Sequence, residues 1–174
     1  GIATYARKAV DEVHGLDVKI LDTRKTTPNF RMCEKWAVAI GGAQNHRYGL
    51  YDMVMLKDNH NDYAGGITQA VNSVKAYLEK IGKDLKIEVE TRNLDEVREA
   101  LATGCVDVIM LDNMSREEMR NAVKIIDGRC ETEASGGITL ETLRQVAETG
   151  VDFISSGAII HSSPNKDLSL KALK

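Results

Sequence analysis

Four short apolar runs, each ending abruptly in polar residues, constrain this chain more than any other feature. They read KILDTRKTT from Lys19, MVMLKDNH from Met53, VIMLDN from Val108 and FISSG from Phe153. Apolar runs of this length are typical of buried strands. In parallel α/β domains the residues that do chemistry stand where the strands end. The runs therefore predict a parallel sheet with a functional site at its carboxyl edge.

Six strands alternating with helices account for the rest of the pattern. Strands are predicted at 18–21, 51–57, 85–90, 106–111, 129–134 and 151–155, and helices at 2–13, 30–40, 63–81, 94–102, 116–126 and 139–149. This alternation favours an α/β fold. A complete eight-unit barrel typically needs about 250 residues, and a doubly wound sheet would leave several strand ends idle. We therefore predict an incomplete or open β/α barrel of six or seven parallel strands.

The helix predicted at 30–40 should pack its apolar residues against the sheet. These residues recur at helical spacing, at Phe30, Cys33, Trp36, Ala37 and Ile40. We therefore expect all of them to be buried. Asn29, just before the helix, is a candidate cap because its side chain can accept a hydrogen bond from a free amide.

Composition excludes several classes of function. The formal net charge is −3, which does not favour a nucleic-acid partner or a membrane surface. No apolar run approaches the roughly 20 residues that span a bilayer. The cysteines at 33, 105 and 130 are far apart and form no CxxC motif, so we expect reduced thiols and a cytoplasmic protein.

Cationic residues gather around the first two strand ends. Arg24 and Lys25 follow the first strand, Lys57 ends the second, and His46 and Arg47 lie on the segment between them. Because the chain as a whole is acidic, this is a local concentration of positive charge. It predicts a small anionic ligand held in a cleft. The alternative is that these side chains are solvated at the surface.

Two carboxylates mark the ends of the next two strands, since Glu90 ends the third and Asp112 ends the fourth. Carboxylates at neighbouring strand ends can bind ribose hydroxyls, hold Mg²⁺ through its waters, or act as acid and base. A salt bridge to Lys25 or Lys57 is the structural alternative. The two interpretations are compatible with each other.

Glycine-rich turns follow the last two strands. Ser135, Gly136 and Gly137 precede a predicted helix, and the segment 155–157 reads SSG. Glycines let backbone amides approach an anion, and the loops after the last strands of β/α barrels often bind phosphate. The chain carries no motif for a covalent nucleophile, although Lys25 or Lys57 could form a Schiff base if desolvated. An aldolase-like barrel enzyme is therefore the main enzymatic alternative.

At these residues the sequence closely resembles the quinolinate phosphoribosyltransferase family. The resemblance runs in order along the chain through TRKTTP at 23–28, EK at 34–35, GG at 41–42, NHR at 45–47, KDNH at 57–60, EVE at 88–90, LDN at 111–113, EASGGI at 133–138 and GVD at 150–152. There are two local departures. Asn29 stands where the family usually has glycine, and Ala43 replaces a third glycine.

The resemblance implies a reaction and a set of site residues. The reaction joins quinolinate to phosphoribosyl pyrophosphate with Mg²⁺, giving nicotinate mononucleotide, pyrophosphate and CO2 in de novo NAD biosynthesis. The catalytic residues would be Lys25, Lys57, Glu90 and Asp112, and the last two would hold Mg²⁺ through water or substrate. The substrate-binding residues would be Thr23, Arg24, Lys25, His46, Arg47, Lys57, Glu90, Asp112, Ser135, Gly136, Gly137, Ser156, Gly157 and Ala158.

The resemblance also implies a domain organisation. Residues 1–174 correspond to a single catalytic barrel domain, and the N-terminal α+β domain of the family is absent. That domain covers the barrel mouth and helps to form a homodimer, so we expect a homodimer of the full-length protein. A non-catalytic barrel that binds phosphate ligands remains an alternative for the chain without it.

Overall fold

The fold is an open parallel sheet flanked by helices, in a computed structural model that describes residues 1–173. The strands are β1 Lys19–Leu21, β2 Val54–Leu56, β3 Ile87–Thr91, β4 Val108–Asp112, β5 Glu131–Ser135 and β6 Phe153–Ser155. The helices are α1 Ile2–Glu12, α2 Arg31–Ile40, α3 Asp58–Ala64, α4 Ile67–Ile81, α5 Leu94–Ala102, α6 Arg116–Ile126, α7 Leu140–Ala147 and α8 Ala158–His161. All neighbouring strands are parallel, in the order β1-β6-β5-β4-β3-β2.

This sheet is an incomplete barrel. Beyond the β1 edge, Gln44 adds one further parallel bridge to Leu21. The next segment then turns inward, and His46 reaches Glu88 on β3 and Glu133 on β5 across the interior. Six strands and one additional bridge confirm the prediction of an open β/α barrel with six or seven parallel strands.

The hydrophobic core lies between the strands and the surrounding helices. Side chains alternate between the two faces of a strand, and the outward-facing Val89, Ile109 and Ile154 are fully buried against helices. The inward-facing positions of the same strands carry polar residues such as Glu88 and Glu90. The barrel interior is therefore the polar side of the sheet.

The prediction for the buried face of α2 was wrong. Phe30 is 53% exposed, Trp36 68% and Ile40 63%. Cys33 and Ala37 are only partly buried. The face of α2 that packs inward instead carries the side chains of Glu34, Lys35 and Val38. Polar residues can occupy this face because each finds a partner: Lys35 pairs with Asp22, and Glu34 accepts hydrogen bonds from Thr27.

Asn29 does not cap α2, contrary to the prediction. Phe30 occupies the cap position, and no side chain there accepts a helix amide. Asn29 instead has a φ of 60°, in the left-handed region that asparagine tolerates better than most residues. This conformation explains why asparagine is tolerated at a position where the quinolinate phosphoribosyltransferase family usually has glycine.

Two element boundaries differ from the prediction by more than two residues. The helix expected at 63–81 is two helices, because Gly65 and Gly66 adopt φ values of 89° and 137° and end α3 before α4 begins. The second strand begins at Val54 and not at residue 51. Asp52 explains this, since its carboxylate accepts the amides of Tyr48 and Gly49 and closes a turn there. No helix within residues 1–173 has the length and apolar character needed to cross a membrane.

Candidate active site

A cavity of about 770 Å³ opens at the carboxyl ends of the strands. Its size lies in the range of small-molecule sites. All the residues predicted for the site line it: Thr23, Arg24, Lys25, His46, Arg47, Lys57, Glu90, Asp112, Ser135, Gly136, Gly137, Ser156, Gly157 and Ala158. The structure thus brings together residues from every strand end and from the segment after α2, while their individual roles remain predictions.

The loop after β1 is held so that its cations face the cavity. Thr23 accepts the amide of Lys25 at 3.1 Å, and Glu34 accepts both the amide and the hydroxyl of Thr27 at 2.8 Å. The buried Nε of Arg24 has no hydrogen-bond partner within residues 1–173. A buried donor without a partner is costly, so this guanidinium is suited to an anionic ligand that would accept from it.

A buried ion pair fixes the segment that carries His46. Asp22, at the end of β1, pairs with Lys35 at 2.5 Å and accepts the amide of His46 at 2.9 Å. The Asn45 side chain donates to the other oxygen of Asp22 at 2.7 Å, and Lys35 also donates to the His46 carbonyl. Burial raises the pKa of Asp22, and the charge and hydrogen bond of Lys35 oppose this effect. The backbone next to the cavity is therefore tied to both β1 and α2.

The imidazole of His46 lies below this segment between two buried glutamates. Its Nε2 is 3.1 Å from Glu88 and 3.2 Å from Glu133. Its Nδ1 accepts the amide N–H of Arg47 at 2.7 Å. Both ring nitrogens thus have protein partners, and a ligand could hydrogen-bond to His46 only if one of them were released.

Two effects on the charge of His46 compete. Burial disfavours the imidazolium, but hydrogen bonds and charge from Glu133 and Glu88 outweigh it and raise the pKa of His46 to about 9. The hydrogen bond at Nδ1 favours the neutral ring, because a proton there would set two N–H groups head to head at 2.7 Å. We therefore assign the neutral form with its hydrogen on Nε2 to this arrangement. Burial also raises the pKa of Glu88, against the opposing effect of His46.

Arg47 brings a second guanidinium to the same wall. Its Nη1 donates to the Met53 carbonyl at 3.3 Å. Burial and the positive charge of Arg24 lower the pKa of Arg47, and the charges of Glu88 and Asp52 oppose this. Two partly buried guanidiniums that repel one another would both be stabilised by an anion between them.

The cation that follows β2 and the carboxylate on β3 pair with each other. Lys57 Nζ is 2.9 Å from Glu90 Oε2, so the salt bridge considered as the structural alternative does form. Asp112 accepts a hydrogen bond from the side-chain amide of the adjacent Asn113 at 2.7 Å. Within residues 1–173, Glu90 and Asp112 belong to no group of three potential metal ligands. Mg²⁺ at these two carboxylates would take most of its ligands from water or substrate, as Mg²⁺ commonly does.

The glycine-rich turns close the other side of the cavity. Gly136 has a φ of 97°, and a Cβ there would collide with the Asn113 side chain and approach its amide nitrogen to 3.0 Å. A Cβ on Gly157 would lie 3.0 Å from Lys25 Cδ, so the Lys25 side chain passes close over this glycine. The amide of Ser156 donates to the Leu21 carbonyl and is already engaged. Its hydroxyl also donates to the Ile138 carbonyl, at 3.3 Å, so a ligand could accept from this hydroxyl only in place of that bond.

Glu88 and Glu133 are the main residues that the sequence analysis missed. The sequence analysis placed both residues in strands and gave neither a functional role, yet both contact His46 in the barrel interior. The signal was present in the alternation of IEVE at 87–90 and ETEAS at 131–135, which places their glutamates on one face. That alternation could have identified them as inward-facing.

The fold and the cavity define an open β/α barrel whose carboxyl face suits a ligand with several negative charges. The family model for the quinolinate phosphoribosyl transferase C-terminal domain matches residues 2–171. The chain therefore belongs to this family, and the resemblance described above is confirmed.

Relatives with established names agree with this assignment. The nicotinate-nucleotide pyrophosphorylase (carboxylating) of Arabidopsis thaliana, a chloroplastic protein, is 49% identical over 98% of this chain and 53% of its own length. A probable enzyme of the same name from Synechocystis is 49% identical over 100% of this chain and 59% of its own length. The chain thus spans a little over half the length of these relatives.

Solved structures share the same architecture. NadC from Streptococcus pyogenes superposes with a TM-score of 0.91 at 41% identity, over 99% of this chain and 59% of that protein. The nicotinate-nucleotide pyrophosphorylase of Ehrlichia chaffeensis superposes with a TM-score of 0.90 at 45% identity, over 96% and 59% respectively. The open barrel described here is therefore the fold of this family's C-terminal domain.

Proposed function

We propose that this chain carries the barrel domain of an enzyme that transfers phosphoribose from phosphoribosyl pyrophosphate to quinolinate and removes one carboxylate as CO2. The products are nicotinate mononucleotide and pyrophosphate, in de novo NAD biosynthesis. The observation that carries the proposal is one cavity lined both by cations and by glycine-rich turns. Family membership and the names of the relatives support it.

The acid would bind on the side of Arg24, Arg47 and Lys57. Quinolinate has two carboxylates, and guanidiniums bind carboxylates through paired N–H donors. The unpartnered Nε of Arg24 and the mutual repulsion of Arg24 and Arg47 both favour an anion at this place. Binding would then orient the pyridine nitrogen towards the sugar.

The phosphoribosyl donor would bind on the opposite side. The turns at 135–137 and 156–158 would hold its 5′-phosphate, with Thr23 beside them. Lys25, whose side chain crosses Gly157, would meet phosphate charge and stabilise the leaving pyrophosphate. Glu90 and Asp112 would hold the ribose hydroxyls. They would also hold Mg²⁺ through water or substrate, and the ion would supply charge neutralisation for the pyrophosphate.

The chemistry requires no nucleophile from the protein. The pyridine nitrogen forms a bond to the anomeric carbon as the bond from that carbon to the pyrophosphate oxygen breaks. The ring is then a cationic pyridinium. When the carbon–carboxylate bond breaks, its electron pair stays on the ring carbon, stabilised by the adjacent cationic nitrogen, and a proton from water replaces the CO2. The cavity residues bind, orient and balance charge in both steps.

Calorimetric titration with quinolinate, nicotinate and nicotinate mononucleotide would test this proposal. We expect quinolinate to bind more tightly than nicotinate, because the second carboxylate meets an additional cation. Nicotinate mononucleotide should bind through its phosphate. Equal affinity for quinolinate and nicotinate, together with no binding of the mononucleotide, would contradict the proposal.

The aldolase-like alternative makes a different prediction. A Schiff base between Lys25 or Lys57 and a carbonyl substrate would be trapped covalently by borohydride. Under our proposal, neither lysine is modified when the chain is treated with a phosphorylated ketose or aldehyde and borohydride. Mass spectrometry of the digested chain would show which lysine, if any, had reacted.

We further propose a homodimer of the full-length enzyme. Four exposed apolar side chains support this: Met32 and Trp36 on α2, and Leu50 and Tyr51 on the following loop. Apolar surface of this kind commonly marks an interface. Sedimentation equilibrium of the full-length protein would test it, and a single monomeric species would contradict it.

The cellular location is also a proposal. We place the protein in the cytoplasm, on the basis of its three free cysteines. Relatives named as chloroplastic or mitochondrial make organelles the alternative. Fractionation of the source cells with an antibody against the chain would decide between them.

A further inference from the structure

Two glutamates without a role in the proposed reaction contact His46: Glu133 lines the cavity, and Glu88 lies behind it. Glu88 is 0% exposed and Glu133 1%. Neither oxygen of Glu88, nor Oε1 of Glu133, has a hydrogen-bond partner of good geometry within residues 1–173. Burying a carboxylate is costly unless something compensates it. The contact that they share is with Nε2 of His46, at 3.1 Å and 3.2 Å.

The hydrogen bonds of His46 define its tautomer. The Arg47 amide can only donate, so Nδ1 of His46 must accept and carries no hydrogen. The ring hydrogen is then on Nε2, which points between Glu88 and Glu133. One oxygen of each glutamate lies close to this N–H, at 3.1 Å and 3.2 Å, so the hydrogen is attracted by both carboxylates, and a turn of the ring would lose both contacts.

The same tautomer argues against a metal ion at this place. His46, Glu88 and Glu133 each offer an atom within 4.8 Å of the others, which is compatible with a cation. A metal would need the lone pair of Nε2, and Nδ1 would then carry the hydrogen and lose the Arg47 amide. The observed bond at Nδ1 therefore favours a hydrogen-bonded cluster.

We propose that Glu88 and Glu133 are positioning residues of the acid-binding site. They hold the His46 ring in the Nε2–H form, and the ring in turn holds the amide from which the Arg47 side chain projects. This inference rests on the proposed function, since Arg47 is there assigned to the acid. Neither glutamate lies at a strand end, and neither touches the ligand in this scheme.

The backbone contacts explain why the ring needs such support. Asp22 and Lys35 already hold the His46 amide and carbonyl from the outer side of the sheet. The glutamates hold the His46 ring from the inner side. His46 is thus held through both its backbone and its ring. These contacts limit the movement of the adjacent Arg47 towards or away from the cavity. A fixed cation binds a rigid dicarboxylate with little loss of conformational entropy.

Nitrogen-15 NMR of the histidine rings tests the tautomer directly. The His46 signals would be assigned by comparison with a His46→Gln variant. We expect a hydrogen on Nε2 and none on Nδ1 at pH 7.5. A hydrogen on Nδ1, whether alone or together with one on Nε2, would overturn the proposal, and this measurement needs no ligand.

Paired substitutions test the consequence for binding. The double variant E88M/E133M removes both acceptors but keeps similar volume, and it removes buried charge that would otherwise be left without a partner. We expect quinolinate affinity to fall about tenfold or more. Without the glutamates, His46 and the Arg47 that follows it would shift, and a small shift of a binding group is enough for such a loss. The variant E88Q/E133Q retains two acceptor oxygens, so it should keep the tautomer and lie within about threefold of the original affinity.

The matched control is Glu131→Gln, on the same strand as Glu133. Glu131 pairs with Lys86 at 2.7 Å on the surface, away from the cavity. The Glu131→Gln variant should show unchanged His46 signals and unchanged quinolinate affinity.

The outcomes separate this inference from the proposed function. If the original chain binds quinolinate and E88M/E133M binds it equally well while folded, the positioning role is wrong and the function stands. If the tautomer is as proposed but the original chain binds nicotinate and quinolinate alike and does not bind nicotinate mononucleotide, the function is wrong. If E88M/E133M does not fold, the single variant E133M is compared with E133Q, and equal affinities there would overturn the inference.

Discussion

The ammonium group of Lys57 lies 2.9 Å from the Oε2 of Glu90, so two residues assigned to different substrates hold one another at the cavity mouth. Lys57 is 48% exposed at its side chain and Glu90 only 9%. The buried carboxylate therefore positions the more mobile cation before any ligand binds. This arrangement couples the acid side of the proposed site to the donor side.

The first prediction concerns this pair. Lys57→Met should weaken quinolinate binding by about 1.5–3 kcal/mol, the usual contribution of a hydrogen bond to a charged group. Isothermal titration calorimetry would measure it. Lys86→Met is the control, because it breaks a similar ion pair with Glu131 on the surface at 2.7 Å. Equal losses in both variants would contradict a specific role for Lys57.

The second prediction compares two neighbouring glycines. Gly136→Ala should abolish nicotinate mononucleotide binding, since its Cβ would collide with Asn113 and displace the turn. Gly137→Ala shares the strain of positive φ, 61°, but its Cβ would meet no atom within 4 Å. Gly137→Ala should lower the free energy of unfolding by about 1 kcal/mol and bind nicotinate mononucleotide more tightly than Gly136→Ala does. Titration and urea unfolding of both variants would show whether the collision decides the effect.

The third prediction concerns the buried pair of Asp22 and Lys35, which are 0% and 2% exposed. Lys35→Met should lower the free energy of unfolding by about 3–5 kcal/mol, because it leaves the Asp22 charge buried without its partner. The double variant D22N/K35M should lose less than the sum of the two single losses. Urea unfolding monitored by circular dichroism would measure the free energy of unfolding of Lys35→Met, Asp22→Asn and the double variant. Additive losses would mean that the two side chains do not interact.

The fourth prediction is a dependence on pH. Burial raises the pKa of the Cys130 thiol to about 11, against the opposing charge of Arg129. The folded protein should therefore hold this thiol neutral up to about pH 10, and only the thiolate reacts with iodoacetamide. In a variant with Cys33 and Cys105 changed to serine, the alkylation rate should rise about tenfold per pH unit between 8 and 10. A rate that reaches its plateau below pH 9 would show an ordinary, exposed thiol.

Much of the fold could be predicted because its signals are local. The apolar runs before Arg24, Lys57 and Asp112 end where the strands end, to within one or two residues. Parallel strands place all such ends at one edge. The sequence alone therefore sufficed to bring distant loops, such as those at 23–25 and 135–137, into one predicted site.

The error at α2 arose because the partner of a buried side chain lies outside the helix. Helical spacing identified the apolar stripe of α2 but not the side that faces the sheet. Lys35 turned out to be buried because Asp22 accepts from it, and Trp36 is exposed as a consequence. No local pattern within α2 contains this information.

Local sequence patterns are enough to predict the order of the strands and helices, the edge at which the site forms and the family to which the chain belongs. Apolar spacing, turn residues and motifs each depend on a few neighbouring positions. Contacts between distant segments determine which face of α2 is buried and how His46 is held between Glu88 and Glu133. The physical reason is that buried polar groups are stable only with partners. Those partners come from separate strands that meet when the barrel curls.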